Sequence, residues 1–413
     1  MNKTKTVLFI LVSAFFTLFF FSCEKKSVSN NLTSETLFSL KYGNFENELK
    51  FYDLSGGSEI SSRIVMRNGF FYISDSTAKK VMEVNSYGDL MLIMYNEETN
   101  PVPTFIKMSD ITPEETGVPS ANATQRATIY PFNRISNIAV DTAKYMYITD
   151  YLPEDRYEEN ESGTQVLRQV ILRFDENGRF IDYIGQQGPG GSPFPYVKEL
   201  YTTKNNELVV VTITATGYEV FWFNNDGFLK YMVPVSFDTL PVPKSDANRE
   251  IFKSLEAIVP DYSEQKLYLK IDYSVMEYDE SSKVQSGISY DKTLLYPLNL
   301  TTETYEEPIL IPAFDEVLSN EYSKITYKVP YDLLGITESG WVFFIIADET
   351  GYSVMIVQPD TQKIVRRHLD IPDDYLVYYS MSLSDDGIIS LMLSTDSETK
   401  VMWWRTDQLI KSL

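Results

Sequence analysis

Short apolar strands that recur in six groups predict an all-β chain folded as a six-bladed β-propeller. The composition agrees, because the 413 residues include 29 tyrosines and 24 phenylalanines, which favour strands over helices. Gly, Asn and Asp punctuate the strands at short intervals, and no long stretch with a 3.6-residue period competes with them. We therefore expect a ring of small sheets, preceded by an N-terminal segment of a different kind.

The first 23 residues predict a secreted protein with a lipid anchor. Two lysines precede an apolar run from Val7 to Phe21, which is shorter than the roughly 20 residues that a membrane-spanning helix needs. A small serine follows, and then Cys23, the only cysteine of the chain. We interpret residues 1–22 as a lipoprotein signal peptide and Cys23 as the lipidated first residue of the mature chain. The alternative is an ordinary signal peptide followed by an incidental cysteine.

The polar residues 23–36 carry almost nothing to bury and predict a flexible tether. The propeller domain should then occupy residues 37–413. Because only one cysteine is present, no internal disulfide can form, and a chain of this length can hold its core without one. This pattern is compatible with a bacterial cell envelope, with the protein on the periplasmic side of a membrane or at the cell surface.

The charge of the chain restricts its partners. The formal net charge is -22 at pH 7, which argues against nucleic acid, because affinity for nucleic acid comes mainly from Lys and Arg. The same acidity disfavours a cationic patch for lipid headgroups. We therefore expect the protein to contact the membrane through the lipid on Cys23 and to bind an unknown envelope protein or ligand. Its oligomeric state stays open.

The strand groups also predict how the ring closes. The first strands of the six groups read SSRIVMR, ISNIAVD, VKELYTT, LEAIVPD, YDLLGIT and YYSMSLS. The sixth group supplies only three strands, whereas the strand LFSLKYG before the first group belongs to no group. We predict that this N-terminal strand completes the last blade. Turns such as NNDG and SDDG are interpreted as tight turns that need positive φ, and not as calcium loops.

The lengths of the connections distinguish the two faces of the predicted propeller. The turns between strands one and two and between strands three and four are short. The long segments are 97–134, 151–165, 186–197, 237–253, 273–289 and 313–330, and all of them fall between strands two and three or between blades. They should share one face, which we call the long-loop face and predict to be the binding surface. The alternative is that these loops vary in length because folding tolerates it.

Two segments of this face carry apolar candidates for a site. The proline-rich loop 99–133 contains Phe105 and Ile106, which must pack on the propeller as a lid or meet a partner as an arm. The glycine-rich link GQQGPGGSPFP places Phe194 at the mouth of the next blade, where junction packing is the simplest interpretation.

The acidic candidates are Asp150, Glu154 and Asp155 in the stretch DYLPEDRYEENESG. This stretch can be a solvated loop, a calcium site or a contact for a basic partner. His368 is the only histidine, lies in KIVRRHLDIP and is expected at the surface or in packing, so a nucleophile with a histidine base would depend on this one residue. One histidine and one lipidated cysteine cannot build a zinc site. We assign no catalytic residue, no metal site and no cofactor, and the sequence cannot nominate a carboxylate pair among 58 acidic residues.

One stretch carries a family resemblance. The segment from Leu172 to Leu200, LRFDENGRFIDYIGQQGPGGSPFPYVKEL, resembles an NHL-type propeller repeat. Such repeats have a strand that ends in an Asp-Asn-Gly turn, a strand that ends in Ile-Gly, a glycine-rich link, and Phe and Pro before the next blade. Segments 69–96 and 206–233 match more loosely. The lipidated start followed by LFSLKYGNFENELKFYDLS resembles a family of spirochaete envelope lipoproteins. This resemblance implies a propeller body and no settled activity.

Two hypotheses about function follow. The first is a membrane-anchored lipoprotein whose propeller binds a protein or ligand without catalysis. The second is a carbohydrate-active or calcium-dependent enzyme that uses carboxylates in the channel mouth. Acidic side chains from several blades that converge on one pocket would favour the enzyme, whereas a broad apolar or aromatic patch would favour the binding platform.

Overall fold

Six mainly antiparallel sheets form the body of the protein in the computed structural model, which describes residues 31–51, 60–106, 124–246, 249–278, 281, 284–319, 324–371 and 376–413. A hydrophobic cluster joins each sheet to the next, and another joins the sixth sheet to the first. The sheets therefore close into a ring, and the predicted six-bladed β-propeller is confirmed. The predicted signal peptide and Cys23 lie outside the described residues.

Each blade has a core of four antiparallel strand positions. The strands of each blade are given from the inside outward. Blade 1 contains β4 (Arg63–Arg67), β5 (Phe70–Asp75), β6 (Lys80–Asn85) and β7 (Leu90–Tyr95), and blade 2 contains β9 (Ile135–Val140), β10 (Met146–Tyr151), β13 (Gln169–Phe174) and β14 (Phe180–Gly185). Blade 3 contains β16 (Tyr196–Thr202), β17 (Leu208–Ile213), β18 (Gly217–Phe223) and β19 (Leu229–Ser236). Blade 4 contains β20 (Ile251–Pro260), β21 (Lys266–Tyr278) and β22 (Gln285–Asn299), and both β23 (Thr304–Tyr305) and β24 (Ile309–Ile311) take its fourth position. Blade 5 contains β27 (Asp332–Ile336), β28 (Val342–Asp348), β29 (Gly351–Gln358) and β30 (Lys363–Asp370). Blade 6 contains β31 (Tyr378–Leu383), β32 (Ile389–Ser394), β33 (Glu398–Trp404) and β2 (Glu35–Tyr42).

Short additional strands cover the outer edges of four blades, which limits edge-to-edge association. They are β8 (Arg126–Ile129) on blade 1, β15 (Gly188–Pro189) on blade 2, β1 (Asn31–Leu32) on blade 5 and β3 (Glu48–Leu49) on blade 6. Two separate hairpins pair β11 (Glu158–Glu159) with β12 (Val166–Leu167) and β25 (Phe314–Ser319) with β26 (Lys324–Val329). The described helices are the 3-10 turns Glu154–Arg156 and Lys244–Asp246 and the C-terminal α-helix Thr406–Ser412.

The N-terminal strand completes the last blade, as predicted. β2 pairs antiparallel with β33, from Glu35 opposite Trp403 to Lys41 opposite Glu398. The strand begins at Glu35, and β1 also pairs with β30, so strand pairing includes residues of the predicted tether segment 23–36. Composition does not reveal this, because backbone pairing at a sheet edge needs no apolar side chain.

A repeated turn builds the face opposite the long loops. In five turns a side-chain oxygen accepts the backbone N–H of the residue four positions later, and a glycine with φ between 76° and 91° precedes that residue. These turns begin at Asn85, Asp175, Asn224, Thr337 and Ser384. A side chain at such a φ would be strained, which explains the glycine. NNDG and SDDG are two of these turns, as predicted.

Strand directions fix the positions of the connections. Because neighbouring strands in each blade are antiparallel, the short repeated turns lie at one end of the blades and the long connections at the other. The link from β7 to β9, the link from β10 to β13 and the link from β19 to β20 all leave from the long-loop face. In blade 4, β21 and β22 extend as a ribbon on the same side.

Candidate functional site in the central channel

The six innermost strands surround a cavity on the axis of the propeller. Its volume is about 370 Å³, and residues of β4, β9, β16, β20, β27 and β31 all line it. Every blade therefore contributes to this one cavity, although the strands are dispersed over most of the sequence.

β-Bulges shape the wall of the cavity. Ser136 and Asn137 together oppose one residue of β10, and single residues are left over in β16, β20 and β27, namely Lys198, Glu256 and Leu334. Asn137 and these three residues all line the cavity. A bulge leaves a residue outside the regular pairing and redirects its side chain, and bulges are frequent beside functional sites. Four of the six inner strands are therefore irregular at the level of the cavity.

Five residues with acidic or basic side chains line this cavity: Arg63, Lys198, Glu199, Glu256 and Asp332. The Lys198 ammonium is fixed, because it donates to the Tyr218 hydroxyl at 2.5 Å and to the Glu256 carbonyl oxygen at 2.8 Å. Within the described part of the chain, neither the Arg63 guanidinium nor the Glu199 carboxylate has an ion pair or a hydrogen bond. A cation and a carboxylate thus line one cavity, each with its hydrogen-bonding groups unused.

Burial makes the ionised form of Glu199 costly. Removal from water raises the pKa of Glu199, and the nearby charges of Arg63 and Lys198 oppose this increase only in part. Burial and the charge of Glu199 also raise the pKa of Tyr201 well above its ordinary value. A ligand that donated hydrogen bonds to Glu199 would offset part of this cost, because buried polar groups without partners are destabilising.

Arg67 closes the channel at the face of short turns. Its side chain is buried, with 5% exposure. Nε donates to the Val140 carbonyl oxygen at 3.1 Å, and Nη2 donates to the Thr202 hydroxyl at 3.1 Å. Nη1 forms an ion pair with Asp385. One side chain therefore links blades 1, 2, 3 and 6.

Asp385 extends this closure to the remaining blades. Its carboxylate accepts a hydrogen bond from the Tyr262 hydroxyl at 3.0 Å, and its carbonyl oxygen accepts one from the Glu338 N–H at 2.7 Å. Tyr262 belongs to blade 4 and Glu338 to blade 5. At the other end of the channel, Arg63 and Asp332 begin their strands, and Asp332 is exposed. The cavity is thus closed at the short turns and approached from the long-loop face.

Asp150 is not available to a partner, which corrects the predicted contact surface. It is 5% exposed, and its two oxygens accept the backbone N–H groups of Asn133, at 3.0 Å, and Arg134, at 2.6 Å. Burial raises the pKa of Asp150 to about 6, although these N–H groups lower it. Asp75, at the end of the second strand of blade 1, also accepts backbone N–H groups, from Lys50 at 2.8 Å and from Ala78 at 3.0 Å. Asp150 thus attaches the end of β10 to the chain that enters blade 2, whereas Asp75 attaches the end of β5 to the segment after β3 and to the turn that follows β5.

The other acidic candidates, Glu154 and Asp155, are exposed on the 3-10 turn of the long-loop face, next to the hairpin of β11 and β12. Within the described residues, no group of three His, Cys, Asp or Glu side chains is close enough to hold a metal ion.

The apolar candidates pack inward. Phe105 is half-buried against the cluster between blades 6 and 1, and Ile106 is half-buried beside it. Residues 107–123 of the same loop lie outside the described residues. Phe194 is fully buried, with its ring edge-on to Phe221 at 5.1 Å and to Phe223 at 6.3 Å between centroids. Phe194 therefore packs blade 2 against blade 3 and cannot meet a partner.

His368 lies at the outer edge of blade 5. Its Nδ1 is 3.0 Å from the Asp348 carboxylate, and its Nε2 is 3.1 Å from Asp370. Asn31 also donates to Asp370, so this polar cluster holds the N-terminal strand β1. The part of the chain described here contains no helix that is long and apolar enough to cross a membrane.

Sequence reasoning missed the residues of the channel. Lys198, Glu199 and Glu256 interrupt the otherwise apolar first strands VKELYTT and LEAIVPD. Charges within a strand that should be deeply placed are a usable signal, because burying a charge is costly. Charged residues in the first strand of a group, where the side chains face the axis, would therefore have indicated the channel.

Comparisons with known proteins add little to the geometry. No protein-family model matches the chain, and no curated protein matches it by sequence. Among solved structures, a gluconolactonase from Xanthomonas campestris aligns with a TM-score of 0.42 and 10% identity over 92% of each chain. The Dos1 propeller aligns at 0.37 and 8% identity, over 87% of this chain and 82% of the other. A putative exported protein from Bacteroides fragilis aligns at 0.38 and 9% identity, over 90% and 95%. Similarities this low assign no activity.

Proposed function

We propose that this protein is a lipid-anchored envelope protein that binds a small polar ligand in its central channel, entered from the long-loop face. The observation that carries the proposal is the convergence of Arg63 and Glu199, whose charged groups have no partner among the described residues, in one cavity whose wall is built from bulged strands. The volume of about 370 Å³ lies within the range of small-molecule sites, roughly 300–1,000 Å³.

The charges indicate the chemistry of the ligand. The guanidinium of Arg63 suits a carboxylate or phosphate group, which it can bind with two parallel hydrogen bonds. Glu199 and Glu256 suit hydroxyl or ammonium donors. A molecule with both kinds of group, such as a sugar acid or an amino acid, would satisfy both sets of residues at once.

The anchor is proposed from the sequence. Seven residues, 24–30, separate Cys23 from β1, which limits the distance between the lipid and the ring to about 25 Å. The resemblance to spirochaete lipoproteins with NHL-like propellers supports the same placement. Labelled palmitate should enter the wild-type chain in a bacterial host with lipoprotein processing and should not enter Cys23→Ser. Equal labelling of both chains would contradict the anchor.

Glu199→Gln should stabilise the fold and weaken ligand binding. The amide keeps the shape of the side chain and removes a buried charge, so the free energy of unfolding should rise at neutral pH. Because the pKa of Glu199 is raised in the folded state, the carboxyl group does not destabilise the fold below the pKa of the unfolded chain. It destabilises the fold increasingly as the pH rises through the folded-state pKa. The gain from Glu199→Gln should therefore disappear in acid. Urea unfolding at several pH values measures both effects.

The same variant tests binding. In a thermal-shift screen of neutral sugars, sugar acids and amino acids, at least one class should raise the melting temperature of the wild-type protein. Glu199→Gln and Arg63→Gln should each weaken that affinity by at least about tenfold. Asp226→Asn changes an exposed carboxylate in a turn of the same blade and should leave the affinity unchanged. If no class binds, or if the variants bind as the wild type does, the channel is not the binding site.

A second candidate function is supported by the acidic side chains of three blades. Glu199, Glu256 and Asp332 line the same cavity, as a carboxylate-dependent enzyme requires. Glycoside cleavage needs one carboxyl group that is protonated and a second that is ionised, and burial shifts Glu199 towards the protonated form. If nitrophenyl glycosides are hydrolysed by the wild type, and Glu199→Gln and Glu256→Gln abolish turnover, the channel is catalytic. Binding without turnover leaves the ligand-binding function.

A further inference from the structure

A second pocket opens on the long-loop face between blades 1 and 2. Its volume is about 530 Å³, and its walls include Lys79, Arg134, Tyr151, Glu154 and Tyr157. It lies apart from the channel, since none of these residues lines the axial cavity. The pocket is formed where the end of β10 meets the segments that enter β9 and follow β5.

The end of blade 2 holds two arginines in fixed positions. The guanidinium carbon of Arg134 lies 4.7 Å from the centroid of the Tyr151 ring, and that of Arg168 lies 5.5 Å from the same centroid. Arg134 precedes β9 and Arg168 precedes β13, and these strands flank β10, which ends at Tyr151. Stacking on an aromatic ring orients a guanidinium without using its N–H donors. The donors of Arg134, the arginine that lines the pocket, are therefore available for a ligand.

The two cations that line the pocket, Lys79 and Arg134, form no ion pair with a carboxylate in the described residues, although the chain contains 58 acidic residues and has a net charge of -22. The charge of Lys79 acts on Asp150 and lowers its pKa, against the larger effect of burial. The Asp150 oxygens, however, bind the N–H groups of Asn133 and Arg134. In so acidic a chain, cations left unpaired along one concave wall favour an anionic ligand over a cationic one.

The remaining wall suits a sugar ring. Tyr157 is 37% exposed and offers an aromatic surface at the edge of the pocket, where a ring with an apolar face can pack. Glu154 is exposed beside it and can accept hydrogen bonds from hydroxyl groups.

We propose that this pocket binds an anionic saccharide, with its phosphate or carboxylate on Lys79 and Arg134 and its ring against Tyr157. The proposal does not rest on the channel ligand, because the two cavities share no lining residue. The acidic stretch around Glu154 predicts a basic partner, whereas this ligand is anionic, because the inner wall of the pocket is basic.

Calorimetric titration of the full chain at 0.15 M salt tests this proposal with four probes: glucose 6-phosphate, glucuronate, glucose and inorganic phosphate. At least one of the two anionic sugars should bind, and it should bind at least about tenfold more tightly than glucose or phosphate, because only it engages both walls. The anionic sugar that binds identifies the preferred charged group. If neither anionic sugar binds, or if phosphate alone binds as tightly, the proposal is wrong.

Three variants locate the binding. Lys79→Gln with Arg134→Gln should weaken the anionic sugar at least about tenfold, and Tyr157→Ala should weaken the sugar while leaving any binding of phosphate unchanged. Arg179→Gln removes an exposed cation from the opposite face of blade 2 and serves as the matched control. Equal losses in Arg179→Gln and in the double variant would show attraction by overall charge and would overturn the site. Glu199→Gln should have no effect here, which separates this pocket from the channel.

Discussion

A chain that begins at residue 44, without β1 and β2, is expected to lose the native ring. β2 supplies the fourth strand of blade 6, and its loss exposes the paired edge of β33 and the cluster between blades 6 and 1. The Tyr42 hydroxyl also donates to the Thr395 carbonyl oxygen at 2.6 Å. An exposed apolar strand edge promotes association with other chains. Size-exclusion chromatography and near-ultraviolet circular dichroism should show aggregated or loosely packed protein.

A point substitution gives the same test with an intact chain. Leu40 is 4% exposed in the cluster between blades 6 and 1, and Leu40→Ala should lower the free energy of unfolding by about 2–4 kcal/mol. Lys41→Ala changes the next, exposed residue of the strand and should cost less than about 0.5 kcal/mol. A peptide of residues 31–51 added to the truncated chain should restore part of the native signal. If the truncated chain unfolds as cooperatively as the full chain, β2 does not close the ring.

The blades could be predicted from the sequence because their signals are local. Alternating apolar residues define a strand, and the turns that begin at Asn224 and Ser384 carry their own glycine, so the strands and their order follow without knowledge of distant contacts. The closing strand followed from a count, since the sixth group lacked one strand. Each of these conclusions depended on neighbouring residues or on the number of groups.

The channel could not be predicted in the same way. A bulge adds one residue to a strand, and nothing in VKELYTT distinguishes the extra Lys198 from a regularly paired residue. Arg63 and Glu199 meet the same cavity although 135 positions separate them in the sequence. The prediction for Asp150 fails for the opposite reason. The density of acidic residues places Asp150 in a loop, whereas it is the last-but-one residue of a strand and binds backbone N–H groups.

Arg67→Met should be among the most destabilising single substitutions in the protein. Methionine fills a similar volume, but it removes the countercharge of the Asp385 carboxylate and the hydrogen bonds that Arg67 donates to the Val140 carbonyl and the Thr202 hydroxyl. Removing one partner of a buried ion pair typically costs about 3–5 kcal/mol. Urea unfolding should show this loss with an unchanged slope, because the surface exposed on unfolding is the same. Arg179→Met, at an exposed arginine of a short turn, should change stability by less than about 0.5 kcal/mol.

A double substitution of Arg67 and Asp385 distinguishes two explanations of the loss of stability in Arg67→Met. If the cost comes from an uncompensated charge, then Arg67→Met with Asp385→Leu should be more stable than Arg67→Met alone, because the second change removes the carboxylate left without a countercharge. If the cost comes from the lost link between blades, the double variant should be less stable than either single variant, since Tyr262 then loses its acceptor as well. We expect the double variant to be more stable than Arg67→Met, because the Tyr262 hydroxyl can bind water instead of Asp385. Asp385 lies near the surface of the short-turn face, with 18% of its side chain exposed. A double variant no more stable than Arg67→Met would instead make the inter-blade link the main contribution of this ion pair.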